Sequence, residues 1–334
     1  MAEKVTIATV ARLAQVSRQT VSNVINAPHI VRDETRRRVE EAIAELGYRA
    51  NQAARQMRTG RSRLVAVRIE PTRDGINGWV LDRFLHGLTE AAAVQGYRVM
   101  LYTADEPKDE ISTYEDLLAA YDLDAFVLHG TDHGDPRPQW LTERGVPFVT
   151  FGRPWDAPHD RSWVDIDGAA GTGQVTRRLI EAGHRRIAFV GWPPGSGTGD
   201  DRRAGWSREL AAYGLATDLD ARTQDGVDLG EACAAELLAL DAPPTALVCA
   251  SDSLAVGALR AIGALHGARD RGVAVAGFDD TPVAQAVGLT SVSQPLPEAA
   301  ARCMEMLIHL LDGDPAGAQA PVLLVPSLVV RTTA

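Results

Sequence analysis

The chain reads as a small all-α helix-turn-helix domain followed by an α/β body of two doubly wound parallel-sheet lobes. Three observations predict this. Apolar positions over the first fifty residues repeat at helical spacing, and from Leu64 onward short apolar runs alternate with stretches of helical length. The charge divides at the same place, with 12 Lys/Arg against 6 Asp/Glu in residues 1–63 and 22 against 38 in the remainder. At 334 residues the chain also exceeds one ordinary domain.

Ile7, Val10, Ala11 and Ala14 fall at i, i+3, i+4 and i+7, the stripe of a short amphipathic helix. After a break at Gln15-Val16, Ser17 stands where an N-cap would, and Val21, Val24 and Ile25 make a second stripe. Arg18, Gln19, Ser22 and Asn23 lie on the opposite face of that second helix. Two short helices joined by a tight turn, the second polar outside, form a helix-turn-helix able to enter a DNA major groove. An ordinary helical hairpin with a solvated outer face is the plainer alternative. A third helix is expected over 32–46, with Val39, Ala42, Ile43 and Leu46 inward and Gly47 placed to end it. A basic head on an acidic body is the asymmetry of a chain that meets a polyanion at one end only.

The apolar runs of the body are LVAVRI (64–69), YRVMLY (97–102), DAFVLH (124–129), VPFVTF (146–151), RRIAFVG (185–191), TALVCAS (245–251) and GVAVAGF (272–278). Helical stretches are expected at 79–95, 107–120, 168–182, 200–213, 229–239 and 252–264. Strands apolar on both faces that alternate with helices imply parallel sheets covered on both sides, and there are too many strands for one small sheet. No run of 18 apolar residues exists, so no membrane-spanning helix is expected, and MAEKVTIATV lacks the apolar core of a signal peptide. Cys233, Cys249 and Cys303 are odd in number and without CxxC spacing, which reads as buried free thiols with neither metal nor disulfide. A cytoplasmic protein without cofactor or metal is the expectation.

In doubly wound sheets ligands bind beyond the carboxyl ends of the strands. The residues found there are Glu70, Asp105, His129, Asp165, Trp192 with Arg202 and Arg203 beyond it, Ser251-Asp252 and Asp279-Asp280. Trp163 joins them from WVDIDG. Carboxylates, an arginine and indoles in one cleft suit a neutral polyhydroxylated ligand, which offers hydroxyls to the first two and apolar ring faces to the last. Ser251 and Asp252 equally fit helix N-caps, and Trp206 fits the core. An enzyme is disfavoured: GxxxxGK[ST], GxSxG and HExxH are absent, and adjacent carboxylates on a turn point apart. A solute-binding protein would share the body, but such proteins are exported and have no helix-turn-helix.

The segments VSRQTVSNVIN, ELGYRAN (45–51), EAGHRRIAFVG (181–191), RRAGW (202–206), ASDSLAVGAL (250–259), VAGFDDTPVA (275–284), SVSQPL (291–296) and the terminal SLVVRTT together resemble the LacI/GalR family of bacterial transcription regulators. FGRPWDAPHDRSWVDIDG and GWPPGSGTGDDRRAGW look like actinobacterial members that sense plant-derived oligosaccharides. The resemblance implies a helix-turn-helix domain at 1–50, a hinge helix and linker at 51–62, and a periplasmic-binding-protein-like core at 63–334. Within that core it implies an amino-terminal lobe of 63–163 and 291–323 and a carboxy-terminal lobe of 164–290 and 324–334.

By that similarity Arg18, Gln19 and Asn23 read bases, and their side chains suit guanine and adenine edges. Thr6, Ser17, Thr20, Ser22, Asn26 and Tyr48 match positions that hold phosphates, with Thr6 and Ser17 also placed to cap helices. Asn51, Ala54 and Met57 fall in the minor-groove hinge helix, where relatives wedge a leucine at the Met57 position. Ala50 stands where relatives often carry proline, and Arg32 replaces a hydroxyl N-cap. Asp167, Arg202, Ser251, Asp279 and Gln294 match effector contacts, while His129, Trp163 and Trp192 are candidates from their place near strand ends. The chain stops at RTTA without the leucine-heptad tail that joins some relatives into tetramers, so a homodimer is expected. The implied function is a repressor of sugar-utilisation genes that binds a palindromic operator and is released by a gluco-configured disaccharide or oligosaccharide. A co-repressor or a non-sugar ligand would suit the same architecture.

Overall fold

The computed structural model describes residues 5–48, 60–70, 76, 78–104, 107–156, 162–266, 272–313 and 320–334. The chain divides into two compact units, Met1–Ser62 and Arg63–Ala334.

In the first unit, α1 (Ile7–Leu13), α2 (Arg18–Asn26) and α3 (Asp33–Leu46) enclose a core of Val10, Ala11, Ala14, Val21, Val24, Val39 and Ala42. These are the inward positions that the 3.6-residue period selects. Thr6 and Thr9 form a reciprocal capping box at the start of α1. Gly47 ends α3 at φ +59°, a left-handed C-cap that a residue with a Cβ adopts only at a cost. Arg32 makes no side-chain cap bond at the other end of that helix.

The second unit begins β1 (Leu64–Ile69), α4 (Gly78–Val94), β2 (Arg98–Thr103), α5 (Pro107–Tyr121), β3 (Ala125–His129), α6 (Arg137–Glu143), β4 (Phe148–Phe151) and β5 (Trp163–Ile166). It continues α7 (Gly168–Glu181), β6 (Ile187–Gly191), α8 (Gly197–Ala212), β7 (Asp220–Arg222), α9 (Val227–Leu238), β8 (Ala246–Cys249), α10 (Asp252–His266) and β9 (Ala274–Phe278). The last elements are α11 (Pro282–Ala286), β10 (Thr290–Ser293), α12 (Leu296–Asp312), β11 (Val322–Leu324) and β12 (Ser327–Val329).

Among the described residues the strands form two six-stranded sheets, ordered β11-β5-β4-β3-β1-β2 and β12-β10-β9-β8-β6-β7. Every pairing is parallel except β10 with β12. The continuous apolar runs have a direct explanation in the first lobe. Val65, Val67, Ala125 and Val127 enter one core with α4 and α12, while Ala66, Phe126 and Leu128 enter another on the opposite face with Tyr114 of α5. In the second lobe, α7, α8, α9 and α10 cover a single large core that holds Trp206 fully buried. Cys249 and Cys303 are buried free thiols, and Cys233 is half-buried and also free.

Strand membership sets the exchange between lobes a few residues from the bounds that the family resemblance implies. Trp163 pairs with Thr150 and Ile166 with Leu324, so β5 stays in the first sheet and the chain crosses at Asp167 rather than after 163. Thr290 pairs with Ala276, so β10 belongs to the second sheet and the return follows Ser293 rather than 290. Four-residue strands carry too little periodicity to reveal which ladder they join. The third crossing lies between β11 and β12.

Candidate functional site

The outer face of α2 is polar and free of acid, since residues 5–32 contain no Asp or Glu. Arg18 and Gln19 are exposed, and Gln19 Nε2 donates to Asn23 Oδ1 at 2.9 Å. Each amide keeps one further group, Gln19 Oε1 as an acceptor and Asn23 Nδ2 as a donor, the complement of an adenine edge. Ser17 Oγ accepts from Thr20 N at 3.0 Å and shares a 2.8 Å bond with Thr20 Oγ1. The hydroxyls of Thr6, Ser17 and Thr20 are therefore engaged at helix starts, where exposed N–H groups and the positive end of the dipole also favour anions. Asn26 Nδ2 donates to Ser22 O at 2.7 Å, folding that amide back on the helix. Tyr48 packs half-buried against the three-helix core. Asn51, Ala54 and Met57, with Ala50, lie outside the described residues, as does Asp105 in the body.

In the body, four of the sequence-selected residues meet at the carboxyl ends of second-lobe strands. Arg202, buried on α8, lies 3.6 Å from Asp279 Oδ1 and donates to the carbonyl of Ala250. Asp279 also accepts from Gln294 Nε2 at 2.7 Å. The guanidinium sits 5.1 Å from the centroid of Trp192 and 3.7 Å from that of Phe278. Burial raises the Asp279 carboxyl well above its ordinary pKa, with Arg202 pulling the other way. Arg202 Nε and Trp192 Nε1 are buried without a hydrogen-bond partner among the described residues. A hydroxylated ligand would supply acceptors for both.

The other selected residues take different places. Asp167 caps α7, accepting from Ala170 N at 2.8 Å. Ser251 caps α10, accepting from Leu254 N at 3.2 Å, and donates to Asp225. Asp252 accepts from Thr281 N and from Ser291 Oγ, tying α10 to β10. Trp163 is buried at the start of β5, in register with Thr150, and does not join the Arg202 cluster, because three further residues separate it from the strand's end. His129 is buried in the first lobe with Nε2 2.7 Å from the carbonyl of Arg68, and burial lowers its pKa. It belongs to a network centred on Glu110, which is fully buried. Tyr102 and Tyr114 each donate to Glu110 at 2.6 Å, Arg137 approaches at 2.8 Å and Arg68 at 3.2 Å.

Contacts between the lobes were not selected from the sequence. Arg153, after β4, is held by Asp165 of its own lobe at 2.6 Å and reaches across to Asp201 of α8 at 3.2 Å. Asp132, after β3, accepts from Gly197 N at 2.9 Å. Trp155 lies so close to Gly197 that a Cβ there would fall inside the indole. Each joins a first-lobe loop to α8, far away in the chain, and no local pattern marks such a partner.

A helix-turn-helix with an acid-free outer face, on a chain whose two-lobed body holds a polar cluster at its strand ends, defines a ligand-responsive DNA-binding regulator. Residues 6–51 match the bacterial regulatory proteins of the lacI family, and residues 176–334 match the periplasmic binding protein-like domain. The transcriptional regulator CelR of Thermobifida fusca is 35% identical over 320 residues, covering 92% of each chain. The structure of a CelR–cellobiose complex superposes with a TM-score of 0.72 at 34% identity, covering 99% of this chain and 100% of that one. The lac repressor dimer bound to operator and the anti-inducer ONPF gives 0.81 at 26% identity, with 99% of each chain covered. The chain belongs to the LacI family of bacterial regulatory proteins. It is a transcription regulator and not an enzyme.

Proposed function

We propose that the protein is a cytoplasmic homodimeric repressor of sugar-utilisation genes, that it binds a palindromic operator, and that a gluco-configured disaccharide or oligosaccharide releases it. The observation that carries the ligand class is the Arg202–Asp279–Gln294 cluster beside Trp192, in which a charged donor, acceptors and an indole converge. The cellobiose bound by the similar CelR supports the same class. Arg18, Gln19 and Asn23 read bases, the hydroxyl and amide groups of Thr6, Ser17, Thr20, Ser22 and Asn26 with Tyr48 fix register on phosphates, and Asn51, Ala54 and Met57 act at the operator centre. Asp167 and Ser251 support the cleft as caps of α7 and α10, whereas His129 and Trp163 lie in the first lobe outside the Arg202 cluster. The domain division is 1–50, 51–62 and 63–334. Two-fold symmetry of the dimer is matched by two-fold symmetry of the operator. A ligand that prefers the lobe arrangement in which paired hinge segments separate lowers operator affinity.

The test is operator binding by the purified protein to the DNA upstream of its own gene, across mono- and oligosaccharides and across salt. Release by a gluco-oligosaccharide, with affinity that falls steeply as salt rises, is the expected result. Tightening by sugar would make the ligand a co-repressor, and indifference to every sugar would remove the sugar reading.

A further inference from the structure

We propose that Arg222 and Asp200 form a clasp that fixes the Trp192 indole beside Arg202, and so set effector affinity without meeting the effector. This role presupposes that the Arg202 cluster is the effector site, and it identifies what positions one wall of that site. Between β6 and α8 the chain reads Trp192-Pro193-Pro194-Gly195-Ser196. The prolines fix their own φ, and Gly195 turns the chain at φ +94°, a conformation that favours glycine. A turn this stiff moves as a unit, so its place depends on how its two ends are held.

Both ends are held from outside. Arg222 Nη1 donates to the carbonyl of Trp192 at 2.7 Å, and Asp200 Oδ2 accepts from Gly195 N at 2.8 Å. Asp200 Oδ1 lies 3.5 Å from the same Arg222 nitrogen, which closes the ring of contacts around the turn. Arg222 is itself fixed. It ends the edge strand β7, in register with Gly191, the residue before Trp192. Its Nε donates to Asp220 Oδ1 at 2.6 Å, Asp220 also meets Arg203 of α8, and the Arg222 side chain is 17% exposed. A planar fork that binds a carboxylate along one edge and a carbonyl with another nitrogen is a geometry lysine cannot copy.

Asp200 stands in the first turn of α8, two residues before Arg202. The clasp therefore ties the Trp192 backbone to the helix that carries the guanidinium, and the 5.1 Å between guanidinium and indole centroid is set from behind. The ring itself lies against α8, where a Cβ at Gly199 would come within 3.1 Å of it. Neither Arg222 nor Asp200 is among the residues that line the cavity beside Trp192. Their effect on a ligand passes through the tryptophan, because an indole already in place loses less freedom when a ligand covers it.

The experiment uses the full-length protein as wild type, Arg222→Ala and Asp200→Ala, each with and without Trp192→Phe. Acrylamide quenching of the ligand-free proteins is read first, and subtraction of the Trp192→Phe counterpart isolates this indole among the six tryptophans. Trp192 should be quenched more readily in both clasp variants, with the remaining tryptophans unchanged. Calorimetric titration with cellobiose and maltose follows. For the sugar that binds, each clasp variant should be about two- to tenfold weaker than wild type, the loss expected for one side chain left unfixed. In the Trp192→Phe background the same substitutions should change affinity by less than about twofold. Unchanged quenching of Trp192 in both variants would overturn the clasp. Equal affinity losses with and without Trp192, as a general loss of structure would give, would do the same. Failure of both sugars to bind the wild type would overturn the gluco-disaccharide reading, and the quenching of Trp192 would then decide the clasp by itself.

Discussion

Gln19 Nε2 and Asn23 Oδ1 are joined by a 2.9 Å hydrogen bond across one turn of α2, so the two amides face outward as one unit. A coupled pair of this kind should lose its function as a pair. Alanine at either position is expected to cost about 1–3 kcal/mol of operator affinity. The double variant should cost less than the sum of the two, with a coupling of roughly 0.5 kcal/mol or more. Fluorescence anisotropy on an operator duplex measures this cycle, and strict additivity would show that the bond does not persist on DNA.

Gly197 has no room for a side chain, because the Trp155 indole occupies the space a Cβ would take. Gly197→Ala should therefore part this edge of the lobes, lower stability by about 1–3 kcal/mol and change effector affinity. Urea unfolding and calorimetry on the same preparation test both effects. Wild-type values in both would mean that Trp155 moves aside freely.

Glu110 is fully buried, accepts from two tyrosine hydroxyls and from Arg137, and lies 3.2 Å from Arg68 Nε. In Glu110→Gln the charge that balances Arg68 and Arg137 disappears while both cations stay buried. A loss of about 3–5 kcal/mol is expected, read as a lower urea midpoint. A change below about 1 kcal/mol would show that Asp135 and Glu70 suffice for these arginines.

Burial raises the Asp252 carboxyl from 3.8 to about 6, against the hydrogen bonds from Ser291 and Thr281. The folded state thus holds this proton more tightly than the unfolded chain does. The resulting stability is full below pH 4 and is lost as pH rises to about 6, after which the buried charge costs about 3 kcal/mol. Asp252→Asn has no such charge. Its stability relative to wild type should improve by about that amount between about pH 4 and pH 7. Urea unfolding at those two values checks it, and a pH-independent difference would mean an ordinary carboxyl.

Legibility in the sequence followed the range of the interaction. Val10, Ala14, Val21, Val24 and Val39 are all core residues, because helical periodicity is written within two turns. Arg202 and Asp279 were readable from their place beyond strand ends and Gln294 from the family resemblance, and the three do converge. Strands β5, β10 and β11 could not be assigned to a sheet, since register with Thr150, Ala276 or Val164 is set by distant partners. Glu110, an acid in the first turn of α5, drew no attention in the sequence, yet it is fully buried between Tyr114 of its own helix and groups from β1, β2 and α6. Arg153–Asp201 and Asp132–Gly197 join first-lobe loops to α8, where neither period nor spacing marks a partner.

The chain passes between the lobes three times, so neither lobe is encoded by one uninterrupted stretch. The first sheet draws on residues 64–166 and 322–324, the second on 187–293 and 327–329. A single recombination event can replace the reading head as a cassette, but it cannot transplant one half of the sensor intact. One exchange near residue 62 can thus pair the head with another entire sensor, or the sensor with another head, whereas a change confined to one lobe has to be made by substitutions within it.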